Sequence, residues 1–85
     1  MNILESIVEY YDNLGEEILK ADGLDEAVIG IEYSSGRLVY SKQKIIDILM
    51  SDGETSMEDA LEHYDYNIAG GYVGELTPIW VDDMF

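Results

Sequence analysis

The chain has 85 residues and carries 19 acidic against 4 basic side chains, which gives a formal net charge of −15. At this length we expect one domain spanning residues 1–85, since hydrophobic residues make up 47% and can bury a modest core. The charge argues against direct contact with nucleic acid or with an anionic membrane. The sequence has no cysteine, which excludes disulfides, thiolate zinc sites and cysteine nucleophiles.

The N-terminal residues predict no targeting segment. They lack the positive region and the uninterrupted apolar run of a signal peptide. No stretch approaches the ~20 apolar residues of a membrane span. We therefore expect a cytoplasmic protein.

The first predicted element is an amphipathic helix over residues 3–19, capped by Asn2. Gly15 lies inside this pattern and costs about 1 kcal/mol relative to alanine, and Gly23 is expected to end the segment. Apolar residues recur at intervals of three and four, which places them on one helical face: Leu4, Ile7, Tyr11, Leu14 and Ile18.

A hairpin and a short helix follow. Residues 27–33 and 37–40 predict two strands joined by a turn at residues 34–36. Ser41 is a suitable N-cap for a helix over residues 42–51. Its apolar stripe consists of Ile45, Ile46, Ile48 and Leu49.

The last third of the chain predicts a helix over residues 56–69 and a strand over residues 79–81. Thr55 and Ser56 provide capping signals, and Pro78 belongs at the start of a strand or on a sheet edge. The predicted order is therefore α-β-β-α-α-β. The simplest arrangement is an α+β fold in which a small antiparallel sheet of about three strands is backed by three helices.

Acidic residues follow helical spacing in two places. In the first predicted helix, intervals of 4, 3 and 4 residues place four carboxylates on one stripe: Glu5, Glu9, Asp12 and Glu16. The second stripe, on the helix over residues 56–69, consists of Glu58, Glu62 and Asp65. The second stripe has no Lys or Arg four residues away and the first has only Lys20, four residues after Glu16, so both largely forgo the stabilisation of helical ion pairs.

Three explanations compete for this acid excess. The stripes can serve solubility alone, or they can reflect adaptation to high salt, where mutual repulsion is screened. The third explanation is imitation of a phosphate backbone, because carboxylates along a helix would recur about every 4 Å and phosphates along a DNA strand recur every ~3.4 Å. In that case the seven carboxylates bind the basic surface of a host protein.

The sequence gives little support for catalysis, metal binding or a cofactor. The single histidine, His63, lies on a predicted helix and is expected to be structural. The acidic segments lack the spacing of a calcium loop, and the glycines near residue 70 lack a phosphate-binding pattern. We expect a protein that is not an enzyme and that needs no cofactor.

Aromatic residues concentrate near the C-terminus and suggest an alternative. Five of the nine aromatic side chains lie in the last 22 residues: Tyr64, Tyr66, Tyr72, Trp80 and Phe85. Most such patterns arise because the C-terminal residues contribute their aromatic side chains to the hydrophobic core. The alternative is an aromatic surface that binds a partner or a second copy of the chain, since Tyr and Trp are enriched at interfaces.

Residues 59–80 contain a Y-x-Y-N-x-x-G segment that ends a predicted helix, followed by Y-V-G-E and T-P. In this the chain resembles a group of small, uncharacterised proteins of tailed bacteriophages and prophages. The resemblance extends over roughly residues 25–81. It implies a phage origin and provides no catalytic or binding residue. In that context we predict an interaction protein that inhibits a nucleic-acid-binding or defence protein of the host, such as a restriction or CRISPR effector.

Overall fold

Within residues 3–85, which the computed structural model describes, the chain forms three α-helices and three strands. The α+β class and the element order are confirmed, whereas the cap proposed at Asn2 lies outside the described residues. A 3-10 turn (Asp25–Ala27) precedes the first strand, and a π-helical turn (Tyr64–Ile68) extends the third helix. The elements are α1 (Ile3–Asn13), β1 (Val28–Glu32), β2 (Arg37–Ser41), α2 (Lys42–Leu49), α3 (Met57–His63) and β3 (Ile79–Val81).

The sheet is mixed, with β2 in the centre. The pairing of β1 with β2 is antiparallel, as expected for a hairpin, but β3 runs parallel to β2. The expectation of a purely antiparallel sheet is therefore wrong for one of the two pairings. The reason lies in the connection: two helices separate β2 from β3, and this long crossover returns the chain to the end of the sheet where β2 began.

The core lies around β2 and α2. Leu38 and Tyr40 of β2 and Ile45 and Ile46 of α2 are fully buried. The Tyr40 ring contacts Trp80 of β3 at 5.1 Å between ring centroids. An edge-to-face contact at 6.4 Å then joins Trp80 to the buried Tyr64 ring. The aromatic residues that close the sheet are thus part of the core, as the commoner explanation of the C-terminal cluster predicts.

Serine caps begin α2 and α3 as predicted. The Ser41 hydroxyl accepts a hydrogen bond from the Lys44 N–H at 3.1 Å, and Ser56 accepts one from the Asp59 N–H at 3.1 Å. Ser41 also donates to the Asp83 carboxylate at 2.6 Å. A single buried hydroxyl therefore fixes the start of α2 and the segment after β3.

Helix α1 ends at Asn13, six residues before the predicted end at residue 19. Gly15 has a φ of 73°, a left-handed conformation that L-residues with side chains avoid. The Glu16 N–H bonds to the Tyr11 carbonyl, and the Gly15 N–H bonds to the Asp12 carbonyl. This is a Schellman cap. Leu14, expected on the buried face, is consequently 56% exposed.

Two irregular segments are held to opposite ends of β2. The Ala21 N–H donates to the Tyr40 hydroxyl at 2.8 Å, which fixes residues 14–24 against the core. At the other end, the Arg37 guanidinium donates to the Thr77 carbonyl. The Thr77 hydroxyl accepts from the Val73 N–H at 2.7 Å and donates to the Gly74 carbonyl at 2.8 Å. Strand β2 thus determines where both segments lie.

Candidate acidic interface

All seven carboxylates predicted to contact a partner are exposed. We call Glu5, Glu9, Asp12 and Glu16 the first acidic face. We call Glu58, Glu62 and Asp65 the second acidic face. The structure gives the two faces different surroundings.

The second acidic face lies on one side of α3 and its π-helical turn. Its three carboxylates line a single hollow of about 610 Å³, as the helical spacing predicts. The rest of the lining is apolar and comes from Met57, Leu61 and Tyr66. Met57 is 43% exposed and Tyr66 is 79% exposed. No basic residue of the described chain lines this hollow, so its potential is strongly negative.

The first acidic face is less regular than predicted. Glu5, Glu9 and Asp12 line one hollow of about 500 Å³, but Glu16 follows the end of α1 and does not line it. Glu16 instead lines a neighbouring groove, which Asp12 lines as well. The expectation that all four carboxylates share one helical stripe is therefore wrong at Glu16, because the Gly15 cap turns the chain away.

A lysine also enters the first acidic face. Lys20 lines the hollow with Glu5, Glu9 and Asp12, although its ammonium is paired with Asp25 at 3.6 Å. Sequence spacing placed Lys20 four residues after Glu16, but it gave no sign that Lys20 would lie beside Glu5, Glu9 and Asp12. The early end of α1 brings residues 14–24 back beside the helix.

The other cations are engaged near the sheet. Lys42 pairs with Asp82 at 3.6 Å, and its ammonium lies 5.3 Å from the centroid of the Tyr64 ring. Arg37 donates to a backbone carbonyl, as described above. The charge of Lys44 helps to lower the pKa of Asp83. The ion pairs of Lys20 and Lys42 thus use Asp25 and Asp82, which belong to neither acidic face.

Three other carboxylates accept hydrogen bonds within the fold, Glu32 and Asp52 in turns and Asp83 at the start of α2. Hydrogen bonds from the Ser34 hydroxyl, the Ser34 N–H and Ser35 lower the pKa of Glu32 to about 2. Backbone N–H groups of Glu54 and Thr55 lower the pKa of Asp52. The Ser41 hydroxyl, and then the Gln43 N–H, lower that of Asp83. The acidic residues therefore have two kinds of role. These three accept hydrogen bonds within the fold, whereas those of the two acidic faces are exposed on the surface.

The groove that Glu16 lines is the main feature that the sequence did not predict. Residues 12–20 form one wall and residues 73–76 form the other, and the groove has a volume of about 770 Å³. The one available signal was Gly15 directly after Asn13-Leu14, which is a common way to end a helix. Nothing in the sequence indicated that residues 73–76 would line the same groove as residues 12–20.

The histidine makes a local contact, and the described residues hold no group of three potential metal ligands. His63 is exposed, and its Nδ1 lies 3.3 Å from the Asn67 amide nitrogen, which indicates a helix contact. Among residues 3–85, no cluster of three His, Asp or Glu side chains is arranged to hold a metal ion. In the same part of the chain, no helix is long and apolar enough to cross a membrane.

The C-terminal aromatic residues divide into two groups. Tyr64 and Trp80 belong to the core, whereas Tyr66, Tyr72 and Phe85 are exposed at 79%, 78% and 108%. The exposed group remains available for contact with another molecule.

Comparison with known proteins found no match among protein-family models, curated proteins or solved structures.

Proposed function

We propose that this protein is a small acidic interaction protein that binds the basic surface of a nucleic-acid-binding protein and blocks it by imitating a phosphate backbone. The single observation that supports this most is the excess of exposed negative charge over available positive charge. Lys20, beside the first acidic face, is paired with Asp25, while Lys42 pairs with Asp82 and Arg37 donates to a backbone carbonyl near the sheet. The carboxylates of the two acidic faces are left exposed to solvent.

An acidic surface of this kind attracts basic partners electrostatically. A patch of one sign steers an oppositely charged partner toward it and raises the association rate, most strongly at low salt. A DNA- or RNA-binding protein carries the complementary lysines and arginines. Binding on this pattern requires no catalytic residue and no cofactor in the protein itself.

The motif resemblance to small phage proteins supports a viral context. We propose that the host partner is a restriction, CRISPR or other nucleic-acid-binding protein, and that the encounter takes place in the host cytoplasm. The genes neighbouring the coding sequence test this part of the proposal: viral neighbours support it, and chromosomal housekeeping neighbours contradict it.

Charge reversal tests the binding. The variant in which Glu5, Glu9, Asp12 and Glu16 are all changed to Lys should lose capture of basic nucleic-acid-binding proteins from a bacterial lysate. The matched control reverses four exposed acids outside both faces, at Asp22, Asp47, Glu54 and Asp59. Melting curves of both variants verify folding. If the variant and the control capture the same proteins as the parent, the first acidic face has no binding role.

The exposed aromatic residues favour a second candidate, a protein-binding module that acts through this surface as a homodimer. Tyr66, Tyr72 and Phe85 are all more than three-quarters exposed, and large exposed aromatic side chains are typical of interfaces. Sedimentation over a range of protein concentrations decides between the candidates. A monomer at every concentration contradicts the dimer, and a dimer that Tyr72→Ser disrupts supports it.

A further inference from the structure

The groove between residues 12–20 and residues 73–76 combines an apolar lining with acidic borders. Its volume of about 770 Å³ falls within the usual range of binding clefts, ~300–1,000 Å³. The acidic residues that line it are Asp12, Glu16, Glu17 and Glu75, all exposed. The apolar residues that line it are Val8, Ile18, Leu19, Val73 and Leu76.

Apolar side chains in this groove remain in contact with water. Val73 is 66% exposed and Leu19 is 36% exposed, although both lie beside half-buried apolar neighbours. Covering them would gain roughly 25 cal/mol for each Å² removed from water. An apolar occupant is therefore favoured along the middle of the groove.

Hydrogen bonds to β2 hold both walls in place. The Tyr40 hydroxyl accepts from the Ala21 N–H behind the first wall, and Arg37 donates to the Thr77 carbonyl behind the second. Thr77 in turn fixes Val73 and Gly74 through its hydroxyl. A groove with fixed walls loses little conformational entropy when it is filled, which favours affinity.

We propose that this groove docks a basic amphipathic segment of the partner, with apolar side chains along the groove and Lys or Arg side chains on its acidic borders. The inference rests on the proposed function, because it names the part of a basic partner that is bound. Charge complementarity selects this occupant: four carboxylates face one lysine, and Lys20 is already paired with Asp25. A second copy of the chain is disfavoured as occupant, since each copy carries a charge of −15.

Two synthetic peptides test the proposal. The first is a helical Leu/Lys peptide of about five turns with its leucines on one face. The second has the same composition in scrambled order, so that the charge is equal and the apolar face is absent. Fluorescence anisotropy of the labelled peptides, at low and at high salt, should show that the amphipathic peptide binds at least roughly tenfold more tightly.

Variants then locate the binding. Leu19→Ser with Val73→Ser should remove the preference for the amphipathic peptide. The matched control, Ile3→Ser with Ile29→Ser, changes two apolar side chains of similar exposure, 46% and 39%, that do not line the groove. Neutralising Glu16, Glu17 and Glu75 to Gln should weaken both peptides more than Asp47→Asn, Glu54→Gln and Asp59→Asn does.

Each outcome supports or overturns the proposal. If both peptides bind equally well and Leu19→Ser/Val73→Ser does not change their affinity, the proposed docking in the groove is overturned. The proposed binding through acidic residues remains intact in that case. Absence of binding by either peptide at low salt overturns both. Self-association that the same double variant abolishes assigns the groove to a second copy and overturns the proposed occupant.

Discussion

The two acidic faces carry similar charge but present it in different ways. On the second acidic face, Glu58, Glu62 and Asp65 follow one helix, and no basic residue lines their hollow. On the first acidic face, the helix ends early, Lys20 joins the carboxylates, and Glu16 belongs to an apolar groove. Carboxylates on a continuous helix thus line a hollow on that helix, whereas carboxylates at a helix end can border a groove whose other wall is a distant segment.

The two faces should therefore differ in what they contribute to binding. The hollow of the second acidic face lies on a single helix and its π-helical turn, so we expect its charge to act mainly on the association rate, with an effect that falls as salt rises. A cleft with apolar lining adds contacts that slow dissociation and persist at high salt. The predictions below separate these contributions, beginning with changes that remove both faces.

Leu38→Ala should have the largest effect, because it opens a cavity in the core beneath both faces. Leu38 is fully buried in the central strand. Replacement of a buried leucine by alanine costs about 2–5 kcal/mol of unfolding free energy. Chemical denaturation measures the loss, and both faces should fail together in binding. Leu14→Ala, at a side chain that is 56% exposed, is the control and should change stability by less than about 0.5 kcal/mol.

Tyr40→Phe should loosen the first acidic face and spare the second. The substitution keeps the ring contact with Trp80 but removes the acceptor of the Ala21 N–H. An unpaired, partly buried N–H costs about 1–3 kcal/mol. Hydrogen exchange should become faster across residues 14–24 and stay unchanged across residues 57–68. Equal acceleration in both regions would show that the Tyr40 hydroxyl does not hold the first wall of the groove in particular.

Ser41→Ala should act on the opposite side of the molecule. It removes the cap of α2 and the hydrogen bond to Asp83, and α2 packs against α3, which carries the second acidic face. The loss of a serine cap costs about 1 kcal/mol. Thermal melting measures the change. Ser41→Asn, which retains a capping oxygen, should recover part of the stability, and failure to recover any would argue against the cap as the cause.

These anchors also show what the sequence can and cannot predict. Ser41, Ser56 and Pro78 act locally, within a few residues, so their positions at element starts could be inferred from residue type alone. The hydrogen bonds from the Ala21 N–H to the Tyr40 hydroxyl and from Arg37 to the Thr77 carbonyl join distant segments, and no local signal encodes them. The parallel pairing of β3 was missed for the same reason, since it depends on the path of a long crossover.

The candidate site divides along the same line. The second acidic face was predictable, because helical spacing alone brings Glu58, Glu62 and Asp65 into one hollow. The first was predictable only as far as Asp12. Beyond that residue the conformation of Gly15 sets the path of the chain, and Lys20 and the groove follow from that path.

Neutralising the second acidic face should weaken binding in a strongly salt-dependent way. Glu58→Gln, Glu62→Gln and Asp65→Asn together should reduce affinity for a basic probe by about tenfold at low salt, and by little near ~1 M salt, where charges are screened over ~3 Å. Titration of the Leu/Lys peptide at several salt concentrations measures this. The groove variant Leu19→Ser/Val73→Ser should lose affinity at every salt concentration. If the two variants show the same salt dependence, the two faces do not differ as we infer.

The smallest effect should come from the hairpin turn, at a carboxylate outside both faces. Glu32 accepts hydrogen bonds from Ser34 and Ser35 in the folded state, and its pKa falls from 4.5 to about 2. Because the unfolded chain binds this proton more readily, Glu32 stabilises the fold fully above pH 4.5, and the contribution is lost as pH falls toward 2. Glu32→Gln should therefore flatten the dependence of unfolding free energy on pH across this window. An unchanged slope would mean that the turn hydrogen bonds do not persist in solution. Glu75→Gln, at an exposed acid without such hydrogen bonds among the described residues, is the matched control for loss of one charge. The difference between the two slopes isolates the turn from the repulsion that every carboxylate of this acidic chain experiences.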